Sequence, residues 1–152
     1  MKILVVSDSH GNSFSLKRII DHNLDADIIV HCGDCHEELD SIRMKNPNKK
    51  YYTVRGNWRY PSVLKTELFF DELGFKFMVT HGHKYNVKDS VDELVEAAKD
   101  AGADIVLFGH THIAYNKEID GVMLLNPGAT TDNSFGIVEI NEGRISTRLE
   151  CL

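Results

Sequence analysis

The first third of the chain carries apolar residues at two kinds of spacing. Residues 3–7, 27–31 and 51–54 are short runs rich in β-branched or aromatic side chains, which is typical of strands buried on both faces. Between the first two runs, apolar residues from Phe14 to Ile20 recur at helical spacing after a capping residue at Asn12 or Ser13. A short polar helix is predicted over residues 37–44. This alternation predicts parallel strands joined by right-handed crossovers.

The pattern changes in the rest of the chain. Residues 65–70 and 75–80 predict a hairpin that turns near Gly74, and residues 87–101 predict a helix that stops at Gly102. Another buried strand is predicted over residues 105–108, and four more over residues 114–119, 122–126, 134–140 and 144–149. The chain is therefore predicted to be an α/β protein whose mixed sheets pack face to face, with the helices outside.

Side chains that bind metals follow five of the predicted strands, just past the C-terminal end of each. They are Asp8 and His10, Asp34, Asn57, His81 and His83, and His110 and His112. In open α/β sheets this edge is where ligands bind, so the loops are expected to meet in one pocket. A single Gly-Asp or Asp-x-His segment is more often a plain turn, but five such groups in this order indicate a common site.

The residue types in this pocket suit divalent cations. Imidazole and carboxylate ligands together favour manganese, iron, zinc, cobalt or nickel. A carboxylate has two oxygens and can bridge two cations about 3.5–4 Å apart. The amide of Asn57 offers a neutral oxygen, which fills a coordination position without adding negative charge. The pattern therefore predicts a site for two metals.

Five blocks in order give the sequence a family resemblance. They are Asp8-Ser9-His10, Gly33-Asp34, Gly56-Asn57, Thr80-His81-Gly82-His83 and Gly109-His110-Thr111-His112, with Asn126-Pro127-Gly128 as a further loop of the same kind. This set resembles the calcineurin-like metallophosphoesterase superfamily, and the short chain resembles its small bacterial and archaeal phosphodiesterases. The retromer metallophosphoesterase-like subunit is related in fold. The resemblance implies a four-layer α/β/β/α sandwich and hydrolysis of phosphomonoesters or phosphodiesters.

The resemblance also implies a role for each ligand. One metal would be held by Asp8, His10 and His112, and the other by Asn57, His81 and His110, with Asp34 as the bridge. The family usually binds manganese, nickel, iron or zinc; manganese is the first expectation here, and cobalt is a further candidate. A metal-bridging hydroxide would then attack phosphorus, while the cations, with Asn57 and His81 nearby, neutralise charge on the phosphoryl oxygens.

The third block departs from the family pattern. Relatives usually continue Gly-Asn with a His or Cys and a carboxylate, whereas this chain has Trp58 and Arg59. The identity of the general acid is therefore open, and a preference for good leaving groups is one consequence. Arg59 is a candidate catalytic and phosphate-binding residue, or else a solvated loop charge. Trp58 either stacks on a substrate ring or covers the core or a subunit contact.

Three further polar residues are candidates near the site. Asn12 could bind the substrate phosphate, although capping the first helix explains it equally well. His83 is a candidate substrate-side group rather than a direct ligand, and His36 could replace the missing acid or simply lie at a helix start. Cys32 and Cys35 have the CxxC spacing, but their context differs from that of a redox motif.

Composition sets limits on the function. The 152 residues are expected to form one domain spanning 1–152, with 42% hydrophobic and 26% charged residues. The net charge of −6 argues against a nucleic-acid partner but not against a small phosphate ester. Neither a signal peptide nor a membrane span is expected, and the odd number of cysteines, three, argues against a disulfide framework. A cytoplasmic location is therefore the default expectation. A homo-oligomer is possible through Trp58.

Three functions compete at this point. The full ligand set favours a hydrolase for small phosphodiesters or phosphomonoesters. A protein-binding scaffold with a weakened site is the alternative, for which the altered block at Trp58 and Arg59 is the supporting feature. A nuclease is the third, and the acidic chain argues against it.

Overall fold

The computed structural model describes residues 1–35, 38–58 and 63–152. Within these residues the chain forms ten strands, three α-helices and two single turns of 3₁₀ helix. The elements are β1 (Lys2–Val6), α1 (Ser13–His22), β2 (Ile28–His31), α2 (Glu38–Lys45), β3 (Lys50–Thr53), β4 (Glu67–Glu72), β5 (Phe75–Thr80), a 3₁₀ turn (His83–Tyr85), α3 (Asp92–Ala101), β6 (Ile105–Leu107), β7 (Tyr115–Ile119), β8 (Val122–Asn126), a 3₁₀ turn (Thr130–Asp132), β9 (Ser134–Asn141) and β10 (Arg144–Cys151).

The strands form two mixed sheets of five. The first sheet has the order β10-β9-β1-β2-β3. Strands β1, β2 and β3 are parallel, β9 is antiparallel to β1, and β10 is antiparallel to β9. The second sheet has the order β4-β5-β6-β8-β7, in which β5, β6 and β8 are parallel and the two edge strands are antiparallel. The predicted parallel β1-β2-β3 arrangement and the hairpin of β4 and β5 are confirmed.

Alternation along the buried strands creates three apolar clusters, and hence four layers. In β1, Ile3 and Val5 belong to the cluster between the two sheets, which also holds Phe77 from the second sheet. Leu4 and Val6 point the other way, against the cluster under α1 and α2. Under α3, a third cluster covers the outer face of the second sheet. The predicted α/β/β/α sandwich is confirmed, because each sheet buries one face on the other sheet and one face under helices.

Helix α1 begins as the sequence predicts. The side chain of Asn12 accepts a hydrogen bond from the backbone N–H of Ser15 at 3.0 Å, so Asn12 is the N-cap. Leu16, Ile19 and Ile20 are buried against the first sheet, whereas Phe14 is 70% exposed. Phe14 was included in the predicted apolar face, and this assignment is wrong because, at about 100° per residue, Phe14 lies on the opposite side of the helix from Leu16 and Ile19.

The predicted start of the third helix is also wrong. Residues 87–91 lie outside the helix, which begins at Asp92. Asn86 has a left-handed backbone with φ of 51°, and the Ser90 hydroxyl accepts the N–H of Asp92 at 3.1 Å, so the local hydrogen bonds favour a turn before the helix. Val87 is nevertheless buried in the cluster under α3, which explains why the apolar pattern extended this far.

Across the three described stretches of chain, no helix is both long enough and apolar enough to span a bilayer.

Replacing the N-cap of α1 should destabilise the protein. Asn12→Ala leaves the N–H of Ser15 without its acceptor, so we expect a loss of about 1 kcal/mol in the free energy of unfolding, measured by urea denaturation. Asn12→Asp retains an acceptor and serves as the control. Equal destabilisation by both variants would show that the capping hydrogen bond is not what Asn12 contributes.

Candidate metal centre

The seven predicted ligands lie in loops at one end of the sandwich, at the C-terminal ends of strands from both sheets. The loops after β1, β2 and β3 belong to the first sheet, and the loops after β5 and β6 belong to the second. The first two loops are tied by backbone hydrogen bonds, from Asp8 N–H to the Gly33 carbonyl at 3.0 Å and from His10 N–H to the Asp34 carbonyl at 2.9 Å. Since the sheets pack face to face, the two sets of loops meet.

One set of donor atoms surrounds Asp8. Its Oδ1 lies 3.2 Å from Nε2 of His112 and 3.8 Å from Nε2 of His10, and the two imidazole nitrogens are 3.2 Å apart. One ligand atom from each of these three residues fits within 4.8 Å of the others, as binding to one cation requires. The His112 side chain is 47% exposed, so this part of the site opens to solvent.

A second set of donor atoms surrounds His81, which is fully buried. Its Nε2 lies 3.1 Å from Oδ1 of Asn57 and 3.2 Å from Nδ1 of His110. The other ring nitrogen, Nδ1, lies 2.8 Å from the carbonyl of Cys32, which can only accept a hydrogen bond. Nδ1 of His81 therefore carries the proton, and this hydrogen bond aims Nε2 at the site.

Asp34 lies between the two sets. Its Oδ2 is 3.3 Å from Nε2 of His81 and 3.6 Å from Nε2 of His10. Its Oδ1 accepts the backbone N–H of Trp58 at 2.9 Å, which fixes the orientation of the carboxylate. One oxygen thus faces donors of both sets, as a bridging ligand must.

A structural observation that does not depend on the sequence motifs supports the binding of divalent cations. Oδ1 of Asp8 is buried and has no hydrogen-bond partner among the described residues, although Oδ2 accepts the N–H of His110 at 3.1 Å. The neighbours of Oδ1 are the imidazole nitrogens of His112, His10 and His81, so burying this carboxylate oxygen is expensive unless a cation or a protonated histidine neutralises it. Asp8 and Asp34 are 0% and 5% exposed, and the donors around them are the nitrogens and oxygens that such cations bind.

The electrostatics of the cluster separate its histidines. Burial lowers the pKa of His81, but the hydrogen bond to Asp34 and the charge of Asp8 outweigh burial and raise it above its ordinary value. Burial raises the pKa of Asp34, yet the same hydrogen bond holds that pKa at about 2. Burial, followed by the charges of His81 and Lys88, lowers the pKa of His110 to about 4. The two carboxylates therefore favour the protonated form of His81, and a bound cation would compete with that proton.

Five of the seven predicted ligands have a left-handed backbone. They are Asp8, His10, Asp34, His110 and His112, with φ between 47° and 69°. Residues other than glycine rarely adopt this conformation, which costs of order 1–3 kcal/mol when the surroundings impose it. Strain of this kind clusters at functional sites, and here it turns successive side chains toward one point.

Two glycines allow the loops to approach this closely. A Cβ atom on Gly56 would lie 1.9 Å from Oδ1 of Asp34, and one on Gly109 would lie 1.9 Å from Oγ of Ser7. Any larger residue would displace the Asp34 carboxylate or the loop that carries His110. The glycines of the third and fifth blocks are therefore steric requirements of the site.

A buried polar network beneath the site was not predicted from the sequence. The Gly33 N–H donates to Nδ1 of His31 at 3.2 Å, so Nε2 of His31 carries the proton and donates to Ser9 Oγ at 2.9 Å. The Ser9 hydroxyl donates to Oε1 of Glu38 at 2.5 Å, and Gly11 N–H donates to the same oxygen at 3.1 Å. This network joins the loops after β1 and β2 to the start of α2. A histidine that ends an otherwise apolar strand was the available signal.

Asn126, buried at the end of β8, positions the loop that follows β6. Its amide donates to the Gly109 carbonyl at 2.9 Å and to Thr111 Oγ1 at 3.0 Å, and its Oδ1 accepts the N–H of Gly128 at 2.9 Å. These bonds hold the loop that carries His110 and His112. The sequence marked the Asn-Pro-Gly loop as family-like without giving it a role.

The other candidate residues have different outcomes. His83 lies beside the cluster, with its ring centroid 5.5 Å from that of His81. The ring of Trp58 packs edge-on against His10 with centroids 5.0 Å apart. Asn12 caps α1, which accounts for its side-chain oxygen. Arg59 and His36 lie outside the described residues. All three cysteines are free, and burial raises the pKa of Cys32 and brings that of Cys35 to about 12.

A sequence profile of the Calcineurin-like phosphoesterase superfamily domain matches residues 1–143. The chain belongs to this superfamily. It is 35% identical over 130 residues to the probable metallophosphoesterase YsnB of Bacillus subtilis, a match that covers 85% of this chain and 75% of the relative. The family expected from the five sequence blocks is confirmed.

Two further comparisons concern a curated relative and a solved structure. The chain is 27% identical over 156 residues to Phosphodiesterase MJ0936 of Methanocaldococcus jannaschii, covering 92% of this chain and 90% of the relative. Its fold matches that of the zinc complex of Vps29 from Entamoeba histolytica with a TM-score of 0.76, at 22% identity and with 99% of each chain covered. The second similarity shows the shared fold alone.

Metal binding by this superfamily member should be visible in its fluorescence. Trp58 is the single tryptophan. Its ring contacts His10, and its backbone N–H donates to Asp34. We expect Mn²⁺ to quench its emission as the site fills, with metal content measured in parallel by elemental analysis. In Asp34→Asn the Mn²⁺ concentration at half-maximal quenching should rise roughly tenfold or more. Asp71→Asn, at an exposed position of β4, should behave as wild type. Bound metal without any change in emission would contradict this placement.

The buried network should give a histidine-dependent pH effect on stability. Burial lowers the pKa of His31 to about 4 from its ordinary value of 6.5, so the unfolded chain takes up a proton that the folded chain refuses between these pH values. Stability from this source is complete above pH 6.5 and is lost toward pH 4.

We expect His31→Gln to reduce the slope of unfolding free energy against pH in this window by about 1 kcal/mol per pH unit in metal-free protein. The measurement is urea denaturation at several pH values, and His22→Gln, an exposed histidine of α1, is the control. An unchanged slope in His31→Gln would refute the assignment.

Proposed function

We propose that this chain is a metal-dependent phosphoesterase with a binuclear site, which hydrolyses small phosphodiesters or phosphomonoesters. The observation that carries the proposal is the convergence of the seven donor residues in two adjoining sets, one around Asp8 and one around His81, with Asp34 Oδ2 facing both. Membership of the phosphoesterase superfamily supports the reaction class. The name of the relative from Methanocaldococcus jannaschii supports diesters as the first substrates to test.

The proposed ligands divide into two sets with one shared residue. Asp8, His10 and His112 would hold one cation, and Asn57, His81 and His110 would hold the other. The position of Asp34 Oδ2, 3.3 Å from His81 and 3.6 Å from His10, supports its role as the bridge. Manganese is the first metal to test, followed by nickel, iron, zinc and cobalt, because the donors are imidazole, carboxylate and amide groups.

When bound, the two cations would lower the pKa of a water molecule and place positive charge next to the phosphate. The protein groups orient this chemistry. The hydrogen bond from His81 Nδ1 to the Cys32 carbonyl fixes the imidazole, and the N–H of Trp58 fixes Asp34. Asn57 contributes a neutral oxygen, which adds no negative charge to the site. Asn57 and His81 would therefore help to stabilise negative charge on the phosphoryl oxygens.

The proposed site has no assigned strong acid to protonate the leaving group. Burial, and then the charge of His81, lowers the pKa of His83 and so favours its neutral imidazole, which we propose donates a hydrogen bond to the substrate. Arg59 is proposed to contact the phosphate. Esters of acidic alcohols, such as nitrophenols, should therefore be the best substrates, because their leaving groups need little protonation.

A protein-binding scaffold is the second candidate function. The likeness to Vps29 supports a shared fold, and the altered block at Trp58 favours a departure from ordinary catalysis. Against it, buried carboxylates and imidazoles would be costly to maintain together without a cation. A nuclease is disfavoured by the net charge of −6, since nucleic-acid backbones select positive surfaces.

The decisive experiment compares Asp34→Asn with wild type in Mn²⁺, measuring turnover of bis(p-nitrophenyl) phosphate and p-nitrophenyl phosphate together with bound metal. Loss of the bridge should lower metal content and reduce kcat/KM at least 100-fold, since both cations act in one step. Asp71→Asn, with the same chemical change far from the site, should retain both. Wild type that binds metal but turns over neither ester would favour the scaffold.

A further inference from the structure

A groove on the surface adjoins the candidate metal centre. It has a volume of about 620 Å³, within the usual range for small-molecule sites. Its walls are mainly apolar and are formed by Val87, Val91, Phe108, Ile113 and Tyr115. We call it the Ile113 groove. None of the roles proposed above uses it.

The Ile113 groove adjoins the loop that carries His110 and His112, and Thr111 is the point of contact. This residue lines the groove and lies in the chain between His110 and His112. Its hydroxyl accepts the N–H of Ile113 at 3.2 Å and the amide of Asn126 at 3.0 Å. The hydrogen bonds that hold the histidine loop therefore also fix one wall of the groove relative to the site.

Ile113 places an exposed apolar side chain beside the candidate metal centre. It follows the proposed ligand His112 directly and is 70% exposed. Tyr115, two residues further, lines the same groove and packs against Phe108 with ring centroids 6.1 Å apart. An apolar rim and an aromatic floor beside a phosphate site would gain from covering by an apolar group of the substrate.

Charge in the groove is balanced. Lys88 and Asp89 both line it, so the groove alone does not select a charged occupant. Lys88 supplies the positive charge of this wall, and apart from Asp89 the remaining lining is uncharged, which suits an uncharged ring.

We propose that the Ile113 groove binds an aromatic or heterocyclic group esterified to the substrate phosphate, so that the preferred substrates are aryl or nucleoside-like phosphodiesters rather than alkyl ones. This inference rests on the proposed function, because it takes the phosphate to be bound at the adjacent metals. Ile113 and Val91 are then specificity-determining residues, and Lys88 adds to phosphate affinity irrespective of the attached group.

A binding experiment tests this without turnover. Phenylphosphonate and methylphosphonate share the charged group and differ only in the ring, and neither is hydrolysed. With Mn²⁺-loaded protein, calorimetry should give about tenfold tighter binding of the phenyl compound, the usual scale for filling an apolar pocket. Ile113→Ser should reduce this ratio to about twofold, and Val91→Thr should also reduce it. Lys88→Ala should weaken both compounds equally.

The matched control is Leu24→Ser, which removes another exposed apolar side chain distant from the site and should keep the tenfold ratio. Bound Mn²⁺ is measured in every variant, so that a damaged histidine loop is recognised. Equal binding of the two phosphonates by wild type, or binding of neither, would overturn the groove assignment. So would a ratio that Ile113→Ser and Val91→Thr both leave unchanged.

Turnover separates this inference from the proposed function. p-Nitrophenyl phenyl phosphate and p-nitrophenyl methyl phosphate have the same leaving group, and wild type should prefer the phenyl ester about tenfold in kcat/KM. Selective phosphonate binding without turnover of either ester would support the groove assignment and contradict the phosphoesterase function. Turnover without a phenyl preference would support the phosphoesterase function and contradict the groove assignment. A dimer that Ile113→Ser dissociates, with equal phosphonate binding, would assign the groove to a second copy and overturn the proposal.

Discussion

The carboxylate of Asp34 joins more parts of the candidate site than any other group described above. Oδ1 accepts the N–H of Trp58, and Oδ2 faces the imidazoles of His10 and His81. Its backbone carbonyl accepts the N–H of His10 as well. Three loops of the first sheet and one of the second therefore depend on a single residue. Gly56 must lack a side chain because this carboxylate occupies the space.

The position of the site in the fold could be predicted from the sequence because it follows from strand ends. Short β-branched runs mark the buried strands, and each is followed directly by a group such as Asp8 or His110. Parallel strands place such ends at one edge, so convergence needs no knowledge of side-chain geometry. The layers could be predicted for the same reason, since β1 alternates its apolar residues between two clusters.

The details that failed depend on local hydrogen bonds that compete with periodicity. Val87 is apolar and buried, so the pattern placed it in a helix, but Asn86 and Ser90 turn the chain before Asp92. The network of His31, Ser9 and Glu38 was missed because each residue has an ordinary role when considered alone. The left-handed backbone of the ligands could not be predicted from the residue types. Aspartate and histidine adopt it more often than most residues do, but it is uncommon even for them, so the surrounding loops decide where it occurs.

The division of the site between the two sheets has a consequence for how the protein assembles. Asp8, His10, Asp34 and Asn57 follow strands of the first sheet, whereas His81, His110 and His112 follow strands of the second. Under the proposed division of ligands, neither sheet alone carries a full set for either cation. High-affinity metal binding would therefore require the packed sheets, and a bound metal would oppose their separation. The cofactor would then act as a thermodynamic cross-link between the halves of the sandwich, in addition to its chemistry.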